Sequence, residues 1–250
     1  MDPRGKTALI TGGAHRVGKA ITLALAQAGA NVVINYNSSA EKAKKTVEEA
    51  RIFDVGALAV QANVGNLEQV EAMVAQAKTE FGGVDILINS ASPWIKTPFP
   101  LEHLEDWHLV TNVLINGSFY CANAIAPFML KKGDGAIINI IDETAFLPKQ
   151  NYTAHSVGKS AVLGLTRQLA LELSPDVSVN AVLLGPVLAP PGYDEKKLEQ
   201  VAQRTLFKRW GTVDDVTDAV VFLIRSSYIT GEVLRIDGGE RFGHKKLAKK

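Results

Sequence analysis

The chain has 250 residues, 46% of them hydrophobic and 21% charged, with a formal net charge of +1. That size and balance suit one soluble α/β domain with a sizeable core, and near-neutral charge excludes an overall field that would draw nucleic acid or a membrane surface. A single cysteine, Cys121, excludes a disulfide framework and points to a reducing compartment, the cytoplasm.

The N-terminal stretch "MDPRGKTALITGG" enters a strand at once and lacks the long apolar run of a signal peptide. No continuous apolar run approaches about 18 residues, so no membrane span is expected. Short runs rich in Val, Ile and Leu at 7–11, 31–35, 56–63, 84–89, 135–141, 177–184 and 232–237 read as strands buried on both faces. Between them, 17–29, 40–53, 67–81, 102–131, 152–173 and 213–226 have helical spacing. Repeated βα units predict a single Rossmann-type, doubly wound parallel sheet of about seven strands, flanked by helices and joined by right-handed crossovers. One domain is expected over 1–242, followed by a solvated basic tail at 243–250. The irregular segment 185–211 starts Pro/Gly-rich and continues as a short charged helix, the pattern of a lid over a substrate site. Cys121 falls in an apolar helical stretch and reads as a core residue. No metal is expected.

The segment "TALITGGAHRVGKAI" (7–21) runs from a strand through glycines into a helix. Gly12 and Gly13 permit a tight turn, Gly18 lets the helix approach the sheet, and free N–H groups at a helix start suit a pyrophosphate. In place of an acidic residue that would hold ribose hydroxyls after the second strand, the chain reads Tyr36, Asn37, Ser38 and Ser39. No carboxylate there repels a 2′-phosphate, and His15 and Arg16 add positive charge nearby, so NADP(H) is expected.

The turn resembles the TGxxxGxG turn of the short-chain dehydrogenase/reductase family, with Arg16 in place of the middle glycine. The resemblance runs the length of the chain. "NSAS" (89–92) stands for the family's NNAG turn, "TNVLINGSFY" carries its helix asparagine at Asn112, "VNAVLLGPV" resembles its VNxxxPG strand end, and "LRIDGGERF" its VDGG segment. It implies cofactor contacts at Gly12, His15, Arg16, Val17 and Gly18, at Tyr36, Asn37, Ser38 and Ser39, and at Asn63 and Val64. Further contacts follow at Asn89, Ser90 and Ala91, at Lys159, and at Gly185, Pro186 and Val187. It also implies a homotetramer, with helices 102–131 and 152–173 as dimer faces.

The stretch "YTAHSVGK" (152–159) departs from the family's Tyr-x-x-x-Lys pair. Four residues before Lys159 stands His155, not Tyr152, and the serine position thirteen residues earlier is Asp142. The family's set therefore reads Asp142, His155 and Lys159, completed by Asn112. A histidine can donate a proton near neutral pH, and Asp142 is a suitable partner for it. Lys159 would hold the nicotinamide ribose and supply positive charge. Tyr152, one turn N-terminal and about 10.5 Å along the axis from Lys159, reads as a substrate contact.

Pteridine reductases, one branch of the family, resemble the chain in Arg16, Asp142 and Tyr152, and in an aromatic residue after the 89–92 turn, here Trp94. In that branch the aromatic ring stacks on the pterin and the arginine touches phosphate and substrate. The leading expectation is NADPH-dependent hydride transfer to a C=N bond of a pterin-like ring, with Arg16, Ser92, Trp94, Asp142, Tyr152 and His155 around the substrate. A 3-oxoacyl or other carbonyl reductase on the same fold is one alternative. An NADP(H)-binding protein with little turnover is another, because His155 replaces the family's acid.

Overall fold

A computed structural model describes residues 1–190 and 192–243. Seven strands form the sheet: β1 (Thr7–Ile10), β2 (Asn31–Tyr36), β3 (Ala57–Gln61), β4 (Ile86–Asn89), β5 (Gly135–Asp142), β6 (Val177–Leu184) and β7 (Val233–Ile236). All pairings are parallel, in the order β3-β2-β1-β4-β5-β6-β7. The order reverses between β1 and β4. Open α/β sheets bind ligands outside the carboxyl ends of the strands at such a switch point.

The strands are continuous apolar runs because both faces are covered. Successive side chains alternate faces, so Leu9 and Ile10 enter different layers. One layer joins Ile10, Ile34 and Ile138 to α1 (Arg16–Gln27), α2 (Ala40–Arg51) and α8 (Val213–Arg225). The other joins Leu9, Leu87 and Ile137 to α3 (Leu67–Phe81) and α5 (Gly117–Lys132). Each fully buried Leu or Ile contributes about 1.5–3 kcal/mol. Asn66 caps α3 by accepting from Gln69 N, and Thr212 and Asp215 form a reciprocal capping box on α8. Cys121 is buried in the second layer, and burial pushes its thiol up to about 12, which makes it inert at neutral pH.

The helix expected over 102–131 is two helices in series. α4 (Glu105–Thr111) and α5 are joined by a π-helical turn, Asn112–Asn116, which the 3.6-residue pattern did not announce. Single π turns inside helices recur at functional sites. The stretch Glu105–Lys132 is long and apolar enough to cross a membrane by length and composition. Its residues Cys121, Ala122, Ile125 and Met129 are instead core residues packed against the sheet.

α6 (Thr153–Glu172) follows β5, and the remaining short helices are α7 (Glu195–Ala202) and α9 (Glu240–Gly243). α7 lies within the irregular segment, as the sequence implied. Asp194 caps it through Lys197 N, and the Trp210 indole donates to Leu198 O at 2.9 Å. Past Gly243, the basic tail lies outside the described residues.

Candidate active site

At the switch point, a cavity of about 570 Å³ opens beside the β1–α1 turn. Gly12 has φ +64°, and a Cβ there would stand 3.1 Å from Ala91 Cα. A Cβ on Gly18 would stand 2.3 Å from Gly12 O. Only glycine fits either position, so the backbone itself forms the cradle. The Asn35 amide braces it, accepting from Gly12 N at 3.2 Å and donating to Ala62 O at 3.0 Å. The Thr11 hydroxyl accepts from Ser90 N and Ala91 N at 2.9 and 3.0 Å, which ties the 89–92 turn to the end of β1.

The cavity wall includes His15, Tyr36, Asn37, Ser38, Ser39, Asn63 and Val64, with no carboxylate among its lining residues. Burial first, then the charges of Lys42 and Arg16, push the His15 pKa down. A dianionic phosphate placed there would meet hydroxyls, amides and a positive field, so these residues fit a dinucleotide carrying a 2′-phosphate.

The second half of the site lies where β5 runs into α6. Asp142 ends β5, and His155 and Lys159 stand one turn apart on the buried face of α6. His155 Nε2 lies 2.8 Å from Asp142 Oδ2, and Nδ1 lies 3.1 Å from Pro93 O. A carbonyl oxygen only accepts, so Nδ1 carries a proton. The contact between Nε2 and Oδ2 needs one more proton, on the ring or on the carboxyl. The couple therefore stores one transferable proton in either form.

Thr144 N donates to Asp142 Oδ1 at 2.9 Å, and the Thr144 hydroxyl donates to the same oxygen. Burial alone would raise the Asp142 pKa. The His155 hydrogen bond, then the Lys159 charge, outweigh it and hold the carboxyl well below the usual carboxylate range. The Lys159 ammonium donates to Ile140 O at 2.8 Å, and burial lowers its pKa against the opposing pull of Asp142. His155 is only 1% exposed, whereas the Asp142 side chain is 27% exposed. The imidazole is buried and the carboxylate is partly exposed.

Over this couple lies an aromatic plate. Trp94 stacks on Tyr152 with ring centroids 4.3 Å apart and meets His155 edge-on at 4.5 Å. Backbone hydrogen bonds clip the Trp94 loop to the start of α6: Thr97 N donates to Asn151 O, Thr153 N donates to Thr97 O, and Ala154 N donates to the Thr97 hydroxyl.

A family profile described as enoyl-(acyl carrier protein) reductase matches residues 12–240. The chain belongs to the short-chain dehydrogenase/reductase family. It is 33% identical over 239 residues to the 3-oxoacyl-[acyl-carrier-protein] reductase FabG of Staphylococcus aureus, covering 94% of this chain and 97% of that protein. A gluconate 5-dehydrogenase from Burkholderia cenocepacia, solved with NADP and tartrate, superposes with a TM-score of 0.88 at 29% identity, over 96% of this chain and 97% of that one. A blue fluorescent protein from a metagenomic library, solved with NADPH, gives a TM-score of 0.88 at 31% identity, over 96% and 99%. This short-chain dehydrogenase/reductase is thus an oxidoreductase working with a nicotinamide dinucleotide. The resemblance to the pteridine reductase branch does not extend to these relatives.

Several expected site residues stand elsewhere than the pattern implied. Arg16, at φ +53°, donates from its guanidinium to Leu188 O at 3.1 Å and to Ala189 O at 3.4 Å, so it anchors the segment after β6 rather than lining the cavity. Pro186 faces a separate cavity of about 220 Å³, and Val187 is a core residue. Gly185 packs against Asp237, whose Cα would lie 2.6 Å from an added Cβ. Val17 packs on the core through its helix. Lys159 is buried and donates to Ile140 O at 2.8 Å. Asn112 lines the dinucleotide cavity and accepts from Asn116 Nδ2 at 2.8 Å, within the π turn, instead of joining the Asp142 group. Tyr152 is the non-helical residue before α6, so it is not one turn back on the same helical face. Ser92 lines the dinucleotide cavity.

Asn35 and Thr11 act through their side chains and Pro93 through its carbonyl, brought together only by the fold. Asn89 is buried, donates to Asn139 Oδ1 at 2.9 Å, and leaves its own Oδ1 without a partner among the described residues. Glu143, next to Asp142, leaves Oε2 unpartnered, as Asp237 does with Oδ2. Burial, opposed by Arg235 and reinforced by Asp237 and Glu240, pushes the Glu143 pKa up to about 6. The two carboxyls satisfy one another when they share a proton.

Proposed function

We propose that the protein is an NADPH-dependent carbonyl reductase whose substrate class is the 3-oxoacyl thioester. The observation that carries this reading is the 2.8 Å contact between His155 Nε2 and Asp142 Oδ2, a proton store opening beside the dinucleotide cavity. Support for NADP(H) comes from the carboxylate-free wall at Asn37, Ser38 and Ser39. Support for the substrate class comes from the 3-oxoacyl-[acyl-carrier-protein] reductases among the relatives.

NADPH, when bound, supplies the hydride that makes a ketone carbon into an alcohol carbon. The chain supplies the proton. As charge grows on the carbonyl oxygen, the proton moves from Nε2 to Oδ2 and on to the substrate, directly or through one water. Lys159 stabilises the carboxylate left behind, and Thr144 fixes its orientation. Trp94 and Tyr152 exclude bulk water from the couple. Gly12, His15 and the 36–39 wall hold the dinucleotide, and Ser92 and Pro93 border the substrate end.

One observation favours a second substrate class, a flat pterin-like heterocycle. The stacked Trp94–Tyr152 pair offers an aromatic face of the kind such a ring fills. The test is NADPH oxidation with 3-oxoacyl thioesters, simple ketones, dihydropterins and quinonoid dihydropterin. Turnover of thioesters above the others supports the carbonyl reading. Turnover of pterins alone overturns it in favour of the heterocycle. NADPH binding with no turnover on any of them overturns both and leaves a nucleotide-binding protein.

Self-association as a homotetramer belongs to the same reading, supported by exposed Leu109, Phe119, Val157 and Leu171 on α4, α5 and α6. A cytoplasmic location is proposed on the one buried, unpaired cysteine.

A further inference from the structure

Helix α6 carries His155 in its first turn, and that turn has no cap of its own. Tyr152, the residue before it, makes no side-chain capping hydrogen bond. The first N–H groups of a helix have no acceptor within the helix and must find one outside it. At α6 one residue distant in sequence supplies two such acceptors. The Thr97 carbonyl accepts from Thr153 N at 3.2 Å, and the Thr97 hydroxyl accepts from Ala154 N at 2.9 Å. Thr97 and Ala154 are both fully buried, so bulk water does not reach this contact. A third bond, from Thr97 N to Asn151 O at 2.7 Å, completes the clasp.

The same loop holds the His155 ring. Its other end is anchored beside the dinucleotide cavity, where the Thr11 hydroxyl accepts from Ser90 N and Ala91 N. Between the two threonines, Pro93 O accepts from His155 Nδ1 at 3.1 Å, and the Trp94 ring meets the imidazole edge-on. A ring nitrogen that donates to a backbone carbonyl fixes both the tautomer and the angle of the imidazole. Here it leaves Nε2 facing Asp142 Oδ2, 2.8 Å away. A half-turn about the Cβ–Cγ bond would set carbon against both oxygens and break the couple.

We propose that Thr97 is a positioning residue for the proton couple: its hydroxyl caps α6 from a separate loop and thereby holds Pro93 O against His155 Nδ1. Thr97 is absent from the wall of the dinucleotide cavity and acts through His155. The kinetic part of the inference rests on the carbonyl reductase reading, and the part that concerns the ring does not. Thr97→Val keeps the shape and deletes the hydroxyl. Ala154 N is then unpaired in a buried place, so the loop and the helix start separate and the ring loses its fixed angle.

The experiment reads the His155 ring nitrogens by long-range proton–nitrogen NMR in the NADP-loaded protein, beside kcat and KM for a 3-oxoacyl thioester. Wild type is compared with Thr97→Val, Thr97→Ser and Thr212→Val. Wild type shows a protonated Nδ1 sheltered from exchange with water. Thr97→Val loses that sheltered signal and lowers kcat about ten-fold, within the range for a misplaced catalytic group, while KM changes less than about two-fold. Thr97→Ser keeps the hydroxyl and restores both. Thr212→Val removes the cap of α8, away from the couple. It lowers the melting temperature as Thr97→Val does, but leaves the Nδ1 signal and kcat at their wild-type values.

An unprotonated Nδ1 in wild type overturns the proposal before any variant is made, so the test holds even if Thr97→Val does not fold. A wild-type Nδ1 signal in Thr97→Val overturns it too, whatever the kcat of that variant. A freed ring with undiminished turnover also overturns it, because the ring angle then does not govern proton supply. Where none of the proteins turns over a thioester, loss of the Nδ1 signal in Thr97→Val and its recovery in Thr97→Ser support the positioning of the ring, and only the carbonyl reading falls.

Discussion

The two halves of the cleft are built from different material. The nucleotide end is backbone: Gly12 and Gly18 stand where a Cβ has no room, and Asn35 and Thr11 hold main-chain groups in place. The substrate end is side chain: a buried imidazole, a half-open carboxylate, an indole and a phenol in mutual contact. Backbone cradles bind any dinucleotide of the right shape and tolerate changes around them. A buried charge couple works only as a unit, because removing one partner strands the other. The comparison teaches that cofactor binding and proton supply are separable here.

The largest separation is expected from His155→Gln. Glutamine keeps an N–H for Pro93 O but stores no transferable proton, so turnover falls by about 10²–10³-fold while NADPH affinity holds. Stopped-flow reduction beside fluorescence titration of NADPH checks both; a parallel loss of affinity would break the comparison. Gly18→Ala acts in the opposite sense. Its Cβ would meet Gly12 O, so the turn must shift, with NADPH affinity down about ten-fold or more and stability down by a few kcal/mol. Calorimetry reads both.

Ser38→Asp sharpens the contrast within the nucleotide end. A carboxylate at this wall repels a 2′-phosphate and accepts from ribose hydroxyls. The NADPH-to-NADH preference ratio then shifts about ten-fold or more toward NADH, roughly 1.4 kcal/mol; an unchanged ratio would place the phosphate elsewhere.

The smallest effect lies behind the substrate end. The folded chain keeps the Glu143 proton up to about pH 6, above the usual glutamate value. The folded state thus binds more protons than the unfolded chain between the two values. Stability is full below the unfolded pKa and declines as pH rises to about 6. Glu143→Gln removes that decline. The melting temperature of the variant relative to wild type should therefore be higher at pH 8 than at pH 4 by about 2–4 °C, after allowance for solvent screening. A difference independent of pH would count against the shared proton with Asp237.

Legibility in the sequence followed the same division. All seven strands were readable, because strands buried on both faces are continuous apolar runs and segments of helical spacing lie between them. The glycine turn and the 36–39 wall were readable as local strings. The pairing of Asp142 with His155 was readable through the family resemblance, because they stand at the family's serine and tyrosine positions. Pro93, Thr11, Asn35 and Thr97 were not, since their roles arise from contacts between segments distant in sequence. The π turn at Asn112 was hidden because hydrophobic periodicity does not distinguish one wide turn from an unbroken helix. The turn toward Leu188 made by Arg16 was hidden because it depends on a left-handed backbone at a residue that seldom adopts one.

The most direct test of the proton couple sets Asp142→Asn against Tyr152→Phe, with turnover of a 3-oxoacyl thioester and NADPH affinity read on both. Asp142→Asn leaves the ring of His155 without its carboxylate, whereas Tyr152→Phe keeps the ring stacked on Trp94 and deletes only a hydroxyl. The account predicts a loss of about 10³-fold for the first and at most about three-fold for the second, with NADPH bound comparably by both. Turnover that survives Asp142→Asn, or that collapses in Tyr152→Phe, would contradict it and assign the proton to the phenol.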